Sequence, residues 1–160
     1  MSLIVKPILA EQNEEIRNII KTVGAEFGAI GEGFGPSDAE VEAMSHYYTE
    51  KNKSLYLVAT IDGDVVGGCG LAPLNHSDDI CELKKLFLLP QSRGLGLGKK
   101  LTLACLDFAK QQGFTQCYLD TLSSMHAAIT LYEKVGFEHL DAPIASSIHG
   151  SCDVWMIKSL

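Results

Sequence analysis

The residues best suited to chemistry lie between Glu82 and Lys100, ELKKLFLLPQSRGLGLGKK. Leu83, Leu86, Phe87, Leu88 and Leu89 form an apolar run that reads as a strand. It stops at Pro90, which has no N–H to give a ladder. Gly94, Gly96 and Gly98 then open a helix. Glycine lets the chain turn tightly and lets backbone N–H groups approach a ligand with no Cβ between them. N–H groups at a helix start, aided by the helix dipole, attract anions. Lys84, Lys85, Arg93, Lys99 and Lys100 add five basic side chains, with no acidic one from 83 to 100, in a chain of net charge −7. The stretch predicts a phosphate cradle. A dinucleotide fingerprint G-x-G-x-x-G starting at Gly94 or Gly96 would need glycine at Lys99 or Leu101, so it is excluded. A P-loop would need glycine at Arg93 and Ser or Thr at Lys100. What fits is R-x-x-G-x-G, spelled by Arg93, Gly96 and Gly98, directly after a strand.

The elements that must hold this cradle follow from pattern. At 160 residues the chain reads as a single domain, 1–160, large enough for a substantial core. Its hydrophobic content of 46% suits a globular protein. Residues 2–9 read as a strand, with Pro7 pointing to a sheet edge. Ile16, Ile19, Ile20 and Val23 recur at helical spacing, giving a helix over 11–28. After a glycine-rich loop, Ser37 or Asp38 can cap a second helix with Val41, Met44 and Tyr48 on one face. Residues 54–61 and 65–71 are strands joined by an Asp62-Gly63-Asp64 hairpin, and Gly67, Gly68 and Gly70 suggest a bulge or a close backbone contact. A helix stopped by Gly113 follows the cradle, then a strand over 115–120. The next helix, capped by Ser123 or Ser124, ends at Gly136, and two strands, 137–140 and 152–158, close the chain. The order β-α-α-β-β-β-α-β-α-β-β predicts an α/β sandwich with a central mixed sheet.

With the R-x-x-G-x-G loop opening its third helix, this order resembles the GNAT superfamily of acyl-CoA-dependent N-acetyltransferases over nearly the whole chain. A second stretch, ITLYEKVGF at 129–137, looks like the family's late helix carrying L-Y-x-x-x-G-F. The resemblance implies a mixed, twisted sheet of about seven strands flanked by about four helices. It implies acetyl-CoA as acyl donor. The backbone of Leu86, Phe87 and Leu88 would hold the pantetheine arm. The amides of Arg93, Gly94, Leu95, Gly96, Gly98 and Lys99 would hold the pyrophosphate, with Arg93, Lys99 or Lys100 reaching its oxygens. Where the family often has Asn seven residues before the tyrosine, this chain has Met125.

The chemistry implied is acetyl transfer to an amine in a ternary complex. A free alkyl amine is protonated at neutral pH, so something must take its proton, and something must protonate the departing thiolate. Tyr132 matches the family's general acid, although its place on an apolar helix face also suits a core tyrosine. For the base, Glu82 opens the cofactor strand where several members carry a glutamate. His76, His149 and Glu32 are loop alternatives. The five cysteines are scattered and unpaired, so disulfides and metal sites are not expected, and no base pattern supports an acyl-enzyme at Cys69 or Cys152.

The expected partner is a small-molecule amine, and the resemblance also allows a homodimer. Residues 1–50 hold nine acidic and three basic residues, an acidic wall that would suit a cationic acceptor. An acidic chain argues against nucleic acid. No apolar run spans a membrane and the N-terminus lacks a signal-like apolar core, so the expectation is a cytoplasmic protein. The competing readings are an acyl-CoA-sensing module without turnover and an acetyltransferase acting on protein lysines or N-termini.

Overall fold

The computed structural model describes residues 1–31, 34–144 and 150–160. In chain order the elements are β1 (Leu3–Pro7), α1 (Asn13–Glu26), α2 (Met44–Tyr47), β2 (Leu55–Ile61), β3 (Asp64–Pro73), β4 (Ile80–Leu88), α3 (Leu97–Gln111), β5 (Gln116–Thr121), α4 (His126–Val135), β6 (Glu138–Leu140) and β7 (Val154–Ser159). Their order is the expected one. The strands form one seven-stranded sheet, β1-β2-β3-β4-β5-β7-β6. Of its pairs among the described residues, β4–β5 alone is parallel. A parallel pair needs a crossover, and α3 supplies it.

The sheet is covered on both faces. Leu97, Leu101, Cys105 and Ala109 recur along one side of α3 and pack with Leu57, Leu71, Leu83 and Leu119. On the opposite face Ile16, Ile19, Ile20 and Val23 of α1 pack with Tyr56, Val58 and Phe87. Asp62 (φ 49) and Gly63 (φ 88) are both left-handed, the two-residue turn that matches strand twist. No helix is long and apolar enough to cross a membrane among the described residues.

Two local expectations are corrected. The second helix is broken into 3-10 turns at Gly35–Ser37 and Ala39–Ala43 plus the short α2. Asp38 caps nothing with its side chain, because that carboxylate is drawn to Lys85. Ser123 and Ser124 do not cap α4 either. Ser123 donates through its N–H and its hydroxyl to Asp153, both at 2.8 Å, and the Ser124 hydroxyl donates to the Phe27 carbonyl at 2.8 Å. The serines thus tie the start of α4 to the approach of β7 and to the end of α1.

Candidate active site

The strand β4 changes face halfway along. Cys81 and Leu83 pack beneath α3, and simple alternation would send Lys85 there too. Instead Gly68 pairs with Phe87 and Gly70 with Lys84, so two residues of β4, Lys85 and Leu86, oppose Cys69 alone. This is a β-bulge. Lys85 adopts φ 58, a conformation costing a side-chain-bearing residue on the order of 1–3 kcal/mol. Beyond it Leu86 and Leu88 join the α3 side and Phe87 the α1 side.

A bulge interrupts the ladder, and here side chains serve its backbone. The Tyr56 hydroxyl donates to the Lys85 carbonyl at 2.9 Å, and the Cys105 thiol donates to the Cys69 carbonyl at 3.6 Å. The absent side chain at Gly70 makes room for this support. A Cβ there would sit 2.8 Å from the Tyr56 ring and 2.9 Å from that of Tyr48.

Next to the bulge β4 parts from β5. The two pair only through Ile80–Glu82 and Gln116–Tyr118. Three cavities line up around the opening. A groove of about 250 Å³ lies between Val23 and Phe27 of the α1 end, Leu86–Leu88, Arg93, Gly94, Gly98 and Leu131. A narrow slot of about 60 Å³ holds Tyr132, Asp120 and Cys152, walled by Phe34–Pro36. It shares Leu86, Phe87 and Met125 with the groove. A polar cavity of about 580 Å³ holds Glu82 and His76 and shares Lys84 with the slot.

The foot of α3 closes the groove. Gly94 (φ 77) and Gly96 (φ 81) are left-handed, and beyond their immediate chain neighbours no heavy atom lies within 4 Å of where a Cβ would stand on either. The first N–H groups of α3 have no intrahelical partner. The backbone is open at these two glycines. The Arg93 side chain departs from expectation. Its guanidinium donates to both Glu26 oxygens at 2.7 and 2.8 Å, donates to the Leu88 carbonyl, and lies 5.3 Å from the Phe27 ring centre. It clamps the loop to α1 while lining the groove.

Charges concentrate on the α1 side of the bulge. Lys85 Nζ, on a side chain 1% exposed, donates to Asp38 Oδ2 at 2.8 Å and lies 3.5 Å from Glu40. Lys84 Nζ donates to Glu40 at 3.1 Å and stands 4.0 Å from Glu82. Burial works against the Glu40 charge, but Lys85 and Lys84 outweigh it and hold the carboxyl below its ordinary pKa. The same balance, burial against Glu82 and Glu40, raises Lys84. Burial pushes the Tyr132 phenol up, so it stays protonated through neutral pH. Burial, then the nearby Asp120 carboxylate, pushes the Cys152 thiol up to about 12.

Of the residues singled out by sequence, Leu86, Phe87, Leu88, Arg93, Gly94 and Gly98 line the groove, and Gly96 caps α3 beside it. Leu95 and Lys99 are exposed at its rim. Tyr132 and Glu82 fall in neighbouring cavities instead of one. Glu32 and His149 lie outside the described residues. Part of the acidic wall is neutralised: Glu26 meets Arg93, Glu42 meets Lys21, and Asp38 and Glu40 meet the two lysines. Sequence reasoning missed Asp120, and it missed that Lys85 is buried against Asp38 and Glu40. The signal for the latter was Lys84-Lys85 inside an apolar strand, a break in alternation.

Comparison with known proteins agrees with this geometry. Residues 24–137 match the acetyltransferase (GNAT) family. The chain is 38% identical to the uncharacterized N-acetyltransferase YjgM of Escherichia coli (strain K12), over 99% of this chain and 96% of that one. A GNAT-family acetyltransferase of Staphylococcus aureus shares the fold with a TM-score of 0.83 at 21% identity, covering 99% of both chains. The paia N-acetyltransferase of Thermoplasma acidophilum, solved in complex with coenzyme A, superposes with a TM-score of 0.74 at 24% identity, covering all of both chains.

Proposed function

Since this chain belongs to the GNAT family of acetyltransferases and takes acetyl-CoA as its acyl donor, we propose that it acetylates the primary amine of a small molecule by direct attack, with both substrates bound at once. The observation that carries this reading is the line of three cavities, joined through Leu86, Phe87 and Met125 on one side and Lys84 on the other. A donor in the groove and an acceptor in the polar cavity meet at the slot beside Tyr132.

Each residue then has a role. The open cradle at Gly94–Gly98 suits the pyrophosphate, whose charge the orphan N–H groups and the helix dipole favour. The apolar groove suits the pantetheine arm, and Met125 fills the place where an amide side chain was expected. The amine nitrogen attacks the thioester carbonyl as Glu82 takes its proton, directly or through a water. The carbon–sulfur bond breaks, and Tyr132 gives its proton to the departing thiolate. Burial keeps that phenol protonated, so it holds a proton to give.

Glu82→Gln tests the reading. It keeps the size of the side chain and removes the base, so kcat/KM for the acceptor should fall about 100-fold or more while acetyl-CoA affinity holds. Undiminished kcat/KM in this variant overturns the assignment.

A further inference from the structure

Lys84 and Glu82 sit side by side in the polar cavity, and their arrangement speaks to the kind of amine it receives. They are alternate residues of β4 and so project to one face of the strand. Their side chains are 13% and 12% exposed, with Nζ and Oε1 4.0 Å apart. That separation places a cation and an anion next to each other at more than hydrogen-bond length. Lys84 gives one hydrogen bond to Glu40, and an ammonium has three to give. Around the mouth stand Lys51 and Lys53. The cavity is lined by Lys51, Lys53 and Lys84 and by Asp78 and Glu82, with Lys53 standing 3.9 Å from Asp78. Of the acidic side chains that would have favoured a bare cation, Glu26, Asp38, Glu40 and Glu42 are occupied by Arg93, Lys85, Lys84 and Lys21.

The cavity wall carries a second mark of a built site. Asn75 (φ 47) and His76 (φ 61) are consecutive left-handed residues in the turn before β4, and neither is glycine. Such backbone strain persists only where its surroundings hold it, and it gathers at binding sites. The cavity, at about 580 Å³, is of a size for a small metabolite.

We propose that the acceptor is an amino acid or a close analogue, a small molecule carrying a carboxylate on the carbon next to its amine, held with its carboxylate on Lys84 and its amine on Glu82. This rests on the reading of Glu82 as base and deepens it. Two opposite charges flanking one carbon match a neighbouring cation and anion on one strand face. Lys84 also borders the slot, so a carboxylate fixed there delivers the amine beside the thioester. The nitrogen–acetyl bond forms, the carbon–sulfur bond breaks, the amine proton goes to Glu82 and the thiolate is protonated from Tyr132.

The test measures CoA release by the wild-type enzyme with the common L-amino acids and with the amines formed by their decarboxylation. For each amino acid that is acetylated, kcat/KM should exceed that of its decarboxylated partner by about 10- to 100-fold, the worth of a charge-assisted hydrogen bond. In Lys84→Gln that ratio should collapse toward one, and Lys84→Arg should restore part of it. Calorimetric CoA binding confirms that both variants are folded. Amines acetylated as well as their parent amino acids overturn the proposal, and so does a panel in which no amino acid releases CoA. Glu82→Gln run alongside separates the two layers: if its turnover is undiminished, the assignment of the base falls and not the acceptor class alone.

Discussion

Replacing Lys85 by Met probes the device that shapes the bulge. The ammonium is sealed, its side chain 1% exposed, and its partner Asp38 is 9% exposed at 2.8 Å. Removing one member of a buried ion pair costs about 3–5 kcal/mol, because the other charge is left without compensation. Glu40 keeps Lys84 at 3.1 Å, which places the expected loss near the lower end, about 3 kcal/mol. For a chain of this size that is a Tm decrease of roughly 6–12 °C. Adding Asp38→Leu removes the carboxylate that lost Lys85 and should recover at least half of the loss, since a matched apolar pair is often no worse than a buried ionic one. Thermal unfolding of the wild type, both single variants and the double variant completes the cycle. The acceptor KM should also rise in Lys85→Met, because Phe34–Pro36 wall the slot just before Asp38. A Lys85→Met protein melting within about 2 °C of wild type would refute the reasoning.

Gly96→Val should weaken CoA binding by tenfold or more, since φ 81 is a conformation a β-branched residue resists and the added side chain occupies the open cradle. Calorimetry returning an unchanged Kd for the folded variant removes the cradle. Glu40 has a folded pKa below its ordinary 4.5, so its contribution to stability is present above that pH and lost as pH falls through the folded value. The stability gap between wild type and Glu40→Gln should therefore shrink in denaturant titrations taken below pH 4.5, and a gap that stays constant from neutral pH to pH 3 contradicts it. Cys152, with its thiol near 12, should resist iodoacetamide at pH 8, and Cys152→Ser should keep turning over acetyl-CoA. Rapid labelling, or loss of all turnover in the serine variant, would instead point to an acyl-enzyme.

The sequence made the fold legible where local signals agree with tertiary packing. The apolar stripes of α1 and α3, the Asp62-Gly63 turn and the glycines ending α3 and α4 all report backbone and burial directly. The tight turn at Gly94 and Gly96 was legible for the same reason. Elsewhere, side chains that bond locally in isolation found better partners across the fold. Ser123, Ser124 and Asp38 look like helix caps until Asp153, the Phe27 carbonyl and Lys85 compete for them. Arg93 looks like a phosphate ligand until Glu26 arrives from 67 residues away. The bulge was half visible: the glycines of β3 announced a close approach, but the extra residue sits in β4, where only the doubled lysine hints at it. Charge counts along the chain could not show that three cations from beyond residue 50, Lys84, Lys85 and Arg93, come to meet half of the acidic excess over residues 1–50.

The most direct test of the account is Tyr132→Phe, which removes one hydroxyl and keeps the ring against Phe137. General acids contribute typically 10²–10⁴-fold, and a thiolate that leaves fairly well unprotonated brings the expectation to the low end or just below, a tenfold or greater fall in kcat. Acetyl-CoA affinity, measured by calorimetry, should stay within about threefold. Tm must be followed in parallel, since a loss of stability could imitate a catalytic defect. A fall in kcat with affinity and Tm preserved is the predicted result; a Phe variant that turns over as fast as wild type contradicts the account.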